Sequence, residues 1–131
     1  MQLINTELLD SVTSKAKESP RLRMNHNFHE SLDAKAQRLL NAMEPGTILP
    51  IHRHQETAET YILLRGKVKV IFYNEQKEVT EAAVLDPKTG NYAIHIPKGQ
   101  WHTLEVLESG SMIFEVKDGP YKPFAPEDVL Q

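Results

Sequence analysis

The stretch Gly46 to Gly66, "GTILPIHRHQETAETYILLRG", sets His52 and His54 one residue apart and Glu59 five residues further on, with a glycine at each end. Side chains alternate faces along a strand, so His52 and His54 point to the same side, one pleat apart. The connection "QETA" is long enough to fold back and bring the Glu59 carboxylate to the two imidazoles at the start of the next strand. Two histidines and one carboxylate form a donor set that suits iron, manganese, nickel, cobalt or zinc and leaves coordination positions open. Further along, "IPKGQWH" presents His102 at the start of another strand after a proline and glycine turn. A third imidazole from there completes a mononuclear set.

The surrounding sequence agrees with a small β-rich domain. From Gly46 onward, short β-prone runs alternate with turn residues: "TYILLRGKVKVIFY", "EVTEAAVL", "NYAIHIP", "HTLEVL" and "SMIFEVK" are separated by "RG", "NEQK", "DPKTG", "PKGQ" and "ESG". That rhythm predicts an antiparallel sandwich or barrel. Before it, "NTELLDSVTSKAKESP" places Leu8, Leu9, Val12 and Ala16 near one helical face, with Asn5 or Thr6 as N-cap and Pro20 beyond the end. "RLRMNHNFHESLD" has no clean period and reads as an irregular arm, while "AKAQRLLNAMEPG" fits helix or strand equally. The division expected is a single domain over 1–131: a helix in 1–19, an arm in 20–37, the β-barrel over about 38–117 and a proline-rich strap over 118–131.

Composition narrows the function classes. The 131 residues are 40% hydrophobic and 25% charged, with a formal net charge of −3, which gives no reason to expect nucleic acid or an anionic membrane as partner. With no cysteine, disulfides, thiolate metal sites and cysteine nucleophiles are excluded, so any metal is held by nitrogen and oxygen. The start "MQLINTELLDSV" lacks the basic and apolar regions of a signal peptide, and no run approaches the ~18 apolar residues that span a bilayer. A cytoplasmic location is the expectation. The partner expected is a small molecule, and a homodimer would cover the open edges of a small sandwich.

The spacing of Gly46, His52, His54, Glu59 and Gly66 resembles the first cupin motif without a gap. The second motif is similar but imperfect: Pro97, Gly99 and His102 match, Gly90 lies one residue early, and Val106 stands where asparagine is frequent. This resemblance implies a cupin-type jelly roll, all-β apart from the N-terminal helix, with one divalent transition metal inside. Its ligands would be His52, His54, Glu59 and His102. Across most of the chain, "SPRLRMNHNFH", "QRLLNAMEPGT", "WHTLEVLE" and "FEVKDGPY" are similar to the WbuC-type cupin-fold metalloproteins. That likeness implies a link to surface polysaccharide and a carbohydrate-like ligand, but no reaction.

Three functions fit this reading. The first is a metal-dependent enzyme with isomerase- or epimerase-like Lewis-acid chemistry on a small polar or sugar-like molecule. The others are an iron-dependent dioxygenase and a non-catalytic binding or sensor module. Tyr61 shares Glu59's face and is a candidate proton donor, and His26 and His29 in the arm are candidates to reach the substrate. Glu56 competes weakly with Glu59 as the carboxylate. His95, between Ile94 and Ile96, is expected on the sheet surface, Trp101 beside the pocket, and Arg53 pointing away from the metal.

Overall fold

A computed structural model describes residues 1–131. The N-terminal segment forms helix α1 (Thr6–Glu18), capped by the Asn5 side chain, which accepts from the Leu8 amide at 3.0 Å. A helix of this length is marginal on its own, so its stability comes from packing. Leu9, Val12 and Ala16 are buried against Leu40, Ala42 and Met112, with Met24, Phe28 and Phe114 around them. The helix is thus a cover laid on the outer face of a sheet. No helix is long and apolar enough to cross a membrane.

That sheet has the strand order β1 (Arg23–Asn27), β2 (Ala36–Met43), β9 (Ser111–Asp118), β4 (Glu59–Arg65), β7 (Ala93–Ile96). The facing sheet runs β10 (Val129–Leu130), β3 (Ile51–His52), β8 (Trp101–Val106), β5 (Val68–Tyr73), β6 (Val79–Leu85). All pairings are antiparallel. The result is a two-sheet jelly roll: of the sandwich and the barrel that the sequence allowed, the sandwich is found, and the sheets do not close into a barrel. No strand is shared between the sheets, and each keeps two free edges.

The ambiguous "AQRLLNAM" is strand β2. Leu39, Asn41 and Met43 face the interior, whereas Leu40 and Ala42 face the helix, so both faces are covered and the sequence loses its alternation. The expected irregular arm contains β1, paired residue for residue with β2 from Arg23↔Met43 to Asn27↔Leu39. Its polarity hid it: Arg23 and Asn25 share the face that Asn41 turns inward, and Met24 packs toward α1. The strap ends in β10, where Val129 pairs with His52. Two-residue strands such as β3 and β10 carry no periodicity to read.

Between the sheets lie Met43, Leu63, Val68, Val70, Leu85, Leu104, Val106 and Ile113, and this apolar filling occupies one part of the interior. The turn between β4 and β5 closes it at Gly66, whose φ is +94°. A Cβ there would overlap Ser111 Oγ and stand 2.6 Å from Ser111 Cα. Gly90 also has a positive φ, +89°, but nothing lies within 4 Å of its added Cβ. Gly66→Ala is therefore expected to lose ~3 kcal/mol or more, from backbone strain plus a clash that the backbone of β9 must yield to, while Gly90→Ala loses about 1 kcal/mol from strain alone. Urea denaturation of both variants checks this, and equal losses would contradict it.

Candidate metal centre

The part of the interior not filled by apolar side chains is polar. His52 on β3 and His102 on β8 are direct cross-strand partners, and their ring centroids lie 4.3 Å apart. His54, two residues past His52, stands with its ring 5.3 Å from His52 and 6.2 Å from His102. From the opposite sheet, Glu59 on β4 projects between them. Its Oε1 is 2.6 Å from His54 Nε2, and its Oε2 is 3.7 Å from His102 Nε2. The structure thus brings together the four side chains singled out from the sequence. In this arrangement Glu59 rests against His54, and no three acidic or imidazole groups stand at ion-coordinating spacing.

Hydrogen bonds fix the chemistry of two imidazoles. His52 Nδ1 is 2.9 Å from the Pro50 carbonyl and His102 Nδ1 is 2.9 Å from the Gln100 carbonyl. A carbonyl only accepts, so each Nδ1 carries a proton and each ring turns its Nε2 inward. Burial, then the neighbouring His102, pushes the His52 imidazole down to about 4, so it is neutral near pH 7. His102 Nε2 is buried and has no hydrogen-bond partner. Burial alone would raise the Glu59 carboxyl, but contacts with His102, His54 and Tyr61 outweigh it and hold the group well below the usual carboxylate range.

Tyr61 shares Glu59's face, as the spacing predicts, and its hydroxyl donates to Glu59 Oε2 at 2.5 Å. Burial and the Glu59 charge raise the phenol well above its ordinary value. It is a donor that orients the carboxylate. The arm histidines are not brought to this cluster. His26 packs edge-on against Phe28, centroids 5.3 Å apart, on the face opposite Arg23 and Asn25. His29 Nδ1 lies 3.1 Å from the Arg38 carbonyl and amide. His95 faces outward, 3.0 Å from Thr60 Oγ1. Arg53 turns away as expected, its guanidinium 4.4 Å over the Trp101 ring and 3.2 Å from Asp128. Glu56 is exposed and pairs with Lys122 at 3.2 Å, outside the cluster.

A cavity of about 190 Å³ opens on the four donors and continues along the inner face of β1, β2 and β9. Its remaining polar lining carries no motif in the sequence. Glu115 on β9 pairs with Tyr61 in register and accepts from Asn41 Nδ2 at 2.9 Å. Burial, then the charge of Glu59, pushes the Glu115 carboxyl up to about 7. A strict inward alternation in "SMIFEVK" put Glu115 on the same face as Ile113, and this was the one available signal. Phe124 in the strap lies across the imidazoles, 4.6 Å from His52 and 5.5 Å from His54 between centroids. It separates the cavity from a wider hollow of about 560 Å³ between the strap and the His54–Thr57 connection.

The Glu115 shift has a signed consequence. With its folded value raised above the ordinary 4.5, the native state holds the proton more tightly, so stability falls as pH rises from ~4.5 through about 7 and stays lower above it. In metal-stripped protein, Glu115→Gln keeps the contact with Asn41 and removes this charge. It is expected to raise stability by roughly 1 kcal/mol at pH 8, the full shift being discounted because the side chain is only half-buried, and to leave it near unchanged at pH 4. Thermal melts at the two pH values check this; an equal effect at both would exclude it.

Solved structures place the fold. KdgF from Halomonas sp. superposes with a TM-score of 0.61 at 17% identity, over 79% of this chain and 84% of that one. The Cnp3 cupin domain of Schizosaccharomyces pombe gives 0.58 at 9%, over 73% and 64%. Bacillus subtilis oxalate decarboxylase, a protein with Mn(II) centres, gives 0.57 at 19%, over 83% and 27%. The chain thus spans under two thirds of the Cnp3 domain and about a quarter of the decarboxylase. At these identities the likeness establishes a cupin jelly roll and nothing finer. No curated protein matches the sequence. A family model does match residues 4–85, from α1 through β6 and including His52, His54 and Glu59. The chain belongs to the family described as Domain of unknown function (DUF6016).

Proposed function

We propose that His52, His54, Glu59 and His102 hold one divalent transition metal ion, and that the chain uses it on a small polar molecule in the adjoining cavity. One observation carries this reading. Glu59 and His102, both almost fully buried at 3% and 1% exposure, face each other at 3.7 Å, and His102 Nε2 has no hydrogen-bond partner. A buried ring nitrogen without a partner, beside a carboxylate oxygen, is completed by a cation standing between the two. The donor set fits a metal in the other respects too. Each Nδ1–H of His52 and His102 is tied to a backbone carbonyl, the arrangement that orients imidazole ligands. Tyr61 fixes the carboxylate from behind.

Bound there, a divalent ion supplies Lewis acidity, and iron would add the option of dioxygen chemistry. The chain's own residues favour the isomerase- or epimerase-like reading over mere binding. Such a reaction needs a group that takes a proton at one position of the substrate and returns it at another. Glu115 lines the cavity with a carboxyl raised to about 7, near the pH at which such a group works in both directions. Its contact with Asn41 holds it toward the cavity. Phe124 lies across the imidazoles on the strap side.

Elemental analysis of protein purified without a nickel column, beside His52→Ala and His102→Ala, tests the site. Wild type is expected to carry close to one ion per chain and each variant less than a tenth of that. Equal metal in wild type and variants would place the ion elsewhere. The identity of the metal then divides the readings: zinc, nickel, cobalt or manganese supports Lewis-acid chemistry, while ferrous iron with oxygen uptake supports the dioxygenase.

A further inference from the structure

The geometry points to a small hydroxylated organic anion as the ligand of this cavity, its anionic group held by Arg21 and Arg23 and a hydroxyl by Asn41. This rests on the reading of the cavity as a ligand site but not on the identity of the metal. The wall on and just before β1 is cationic: Arg21 and Arg23 line it, while the cavity's third cation, Lys117, stands on β9 as the register partner of Glu59. None of the three enters any of the chain's ion pairs. Arg23 is anchored through Nη1 alone, to Thr47 Oγ1 at 3.2 Å and the Ile48 carbonyl at 3.0 Å, which leaves Nε and Nη2 unused. Arg21 makes no side-chain hydrogen bond at all. The two guanidiniums also press on one another: burial and then the charge of Arg21 lower Arg23 from its ordinary value. Guanidinium forks at the edge of a cavity, with donors free and no carboxylate partner, match a carboxylate or phosphate.

The opposite requirement appears on the neighbouring strand. Asn41 gives its Nδ2 to Glu115, and its Oδ1 is buried without a partner. A buried amide oxygen left so costs stability unless a donor reaches it, and a hydroxyl is the simplest donor a small molecule brings. Asn41 and Asn25 are register partners, two residues along the same face from Arg23. One molecule can therefore meet both groups. The volume of about 190 Å³ corresponds to displacing roughly six waters, which limits the ligand to a compact hydroxy acid or its phosphate counterpart.

Calorimetric titration of the protein as purified with glycerate, glycerol 3-phosphate and glycerol tests this, with metal content measured on each sample. At least one of the two anions is expected to bind ten times more tightly than glycerol, and which one does so distinguishes a carboxylate from a phosphate headgroup. Arg21→Gln and Arg23→Gln should each weaken that anion at least fivefold with metal content unchanged, and Arg23→Lys should recover part of the loss. Arg21 makes no structural bond, so its variant keeps the fold if that of Arg23 does not. Equal affinities for the three probes, no binding by any, or wild-type binding by Arg21→Gln would each overturn the proposal. Failure of the metal reading looks different: His52→Ala would carry as much metal as wild type while the arginine dependence of anion binding stayed in place.

Discussion

A carboxylate buried between two sheets is the constraint around which this molecule is arranged. Glu59 lies at 3% exposure, where an ionised group unaccompanied by partners costs several kcal/mol. The fold answers that cost from three directions: Tyr61 from its own strand, His54 from the connection before it, and His102 from the facing sheet. Each partner needs its own placement. The two carbonyls that orient His52 and His102 come from the turns immediately preceding those residues, at Pro50 and Gln100, so the loops "TILPIH" and "PKGQWH" act as mirror devices on adjacent strands. Antiparallel pairing of β3 with β8 then puts the two rings together.

The same constraint explains why the interior is divided. The apolar filling of Val68, Val70, Leu104, Val106 and Ile113 supplies the hydrophobic stabilisation, and it stops where β1, β2 and β9 turn Asn25, Asn41 and Glu115 inward. On the outer face of those strands, α1 adds a second apolar layer. The helix thereby stabilises from behind the strands that carry polar residues in front. Arg65 reinforces that arrangement by bonding Asp10, Thr13 and the Gly110 carbonyl at once. Stability is moved to the outside of the sheet so that its inside can be polar.

This division sets what could be read from the chain and what could not. The sequence identifies "HRH", Glu59 and His102 because their spacing is local and strand alternation converts it directly into a shared face. It identifies β4 through β9 because each run is half apolar. It conceals β1, where inward-facing Arg23 and Asn25 replace the apolar residues that mark a strand, and with β1 it conceals the cationic wall. It also conceals Glu115 and Asn41, which meet only because β2 and β9, 74 residues apart at the hydrogen bond, lie side by side. The histidines of the arm stand out by residue type, but strand pairing sends His26 to the helix side.

Strand alternation also decides how the cavity handles charge. The donor set lies where β3, β4 and β8 converge, and Arg21 and Arg23 lie on and beside β1, so the two ends are held by different elements with Asn41 and Glu115 between them. A ligand with a negative end would neutralise the repulsion between Arg21 and Arg23 and at the same time direct its other end toward the imidazoles. Glu115 sits between them, bonded to Asn41 and within reach of the charges at Glu59 and His102. An approaching anion would disfavour its ionised form further, keeping the proton on the carboxyl, whereas a cation at the imidazoles would favour releasing it. The protonation of this one side chain is therefore coupled to the occupancy of both ends of the cavity, which is the coupling a proton-transferring group requires.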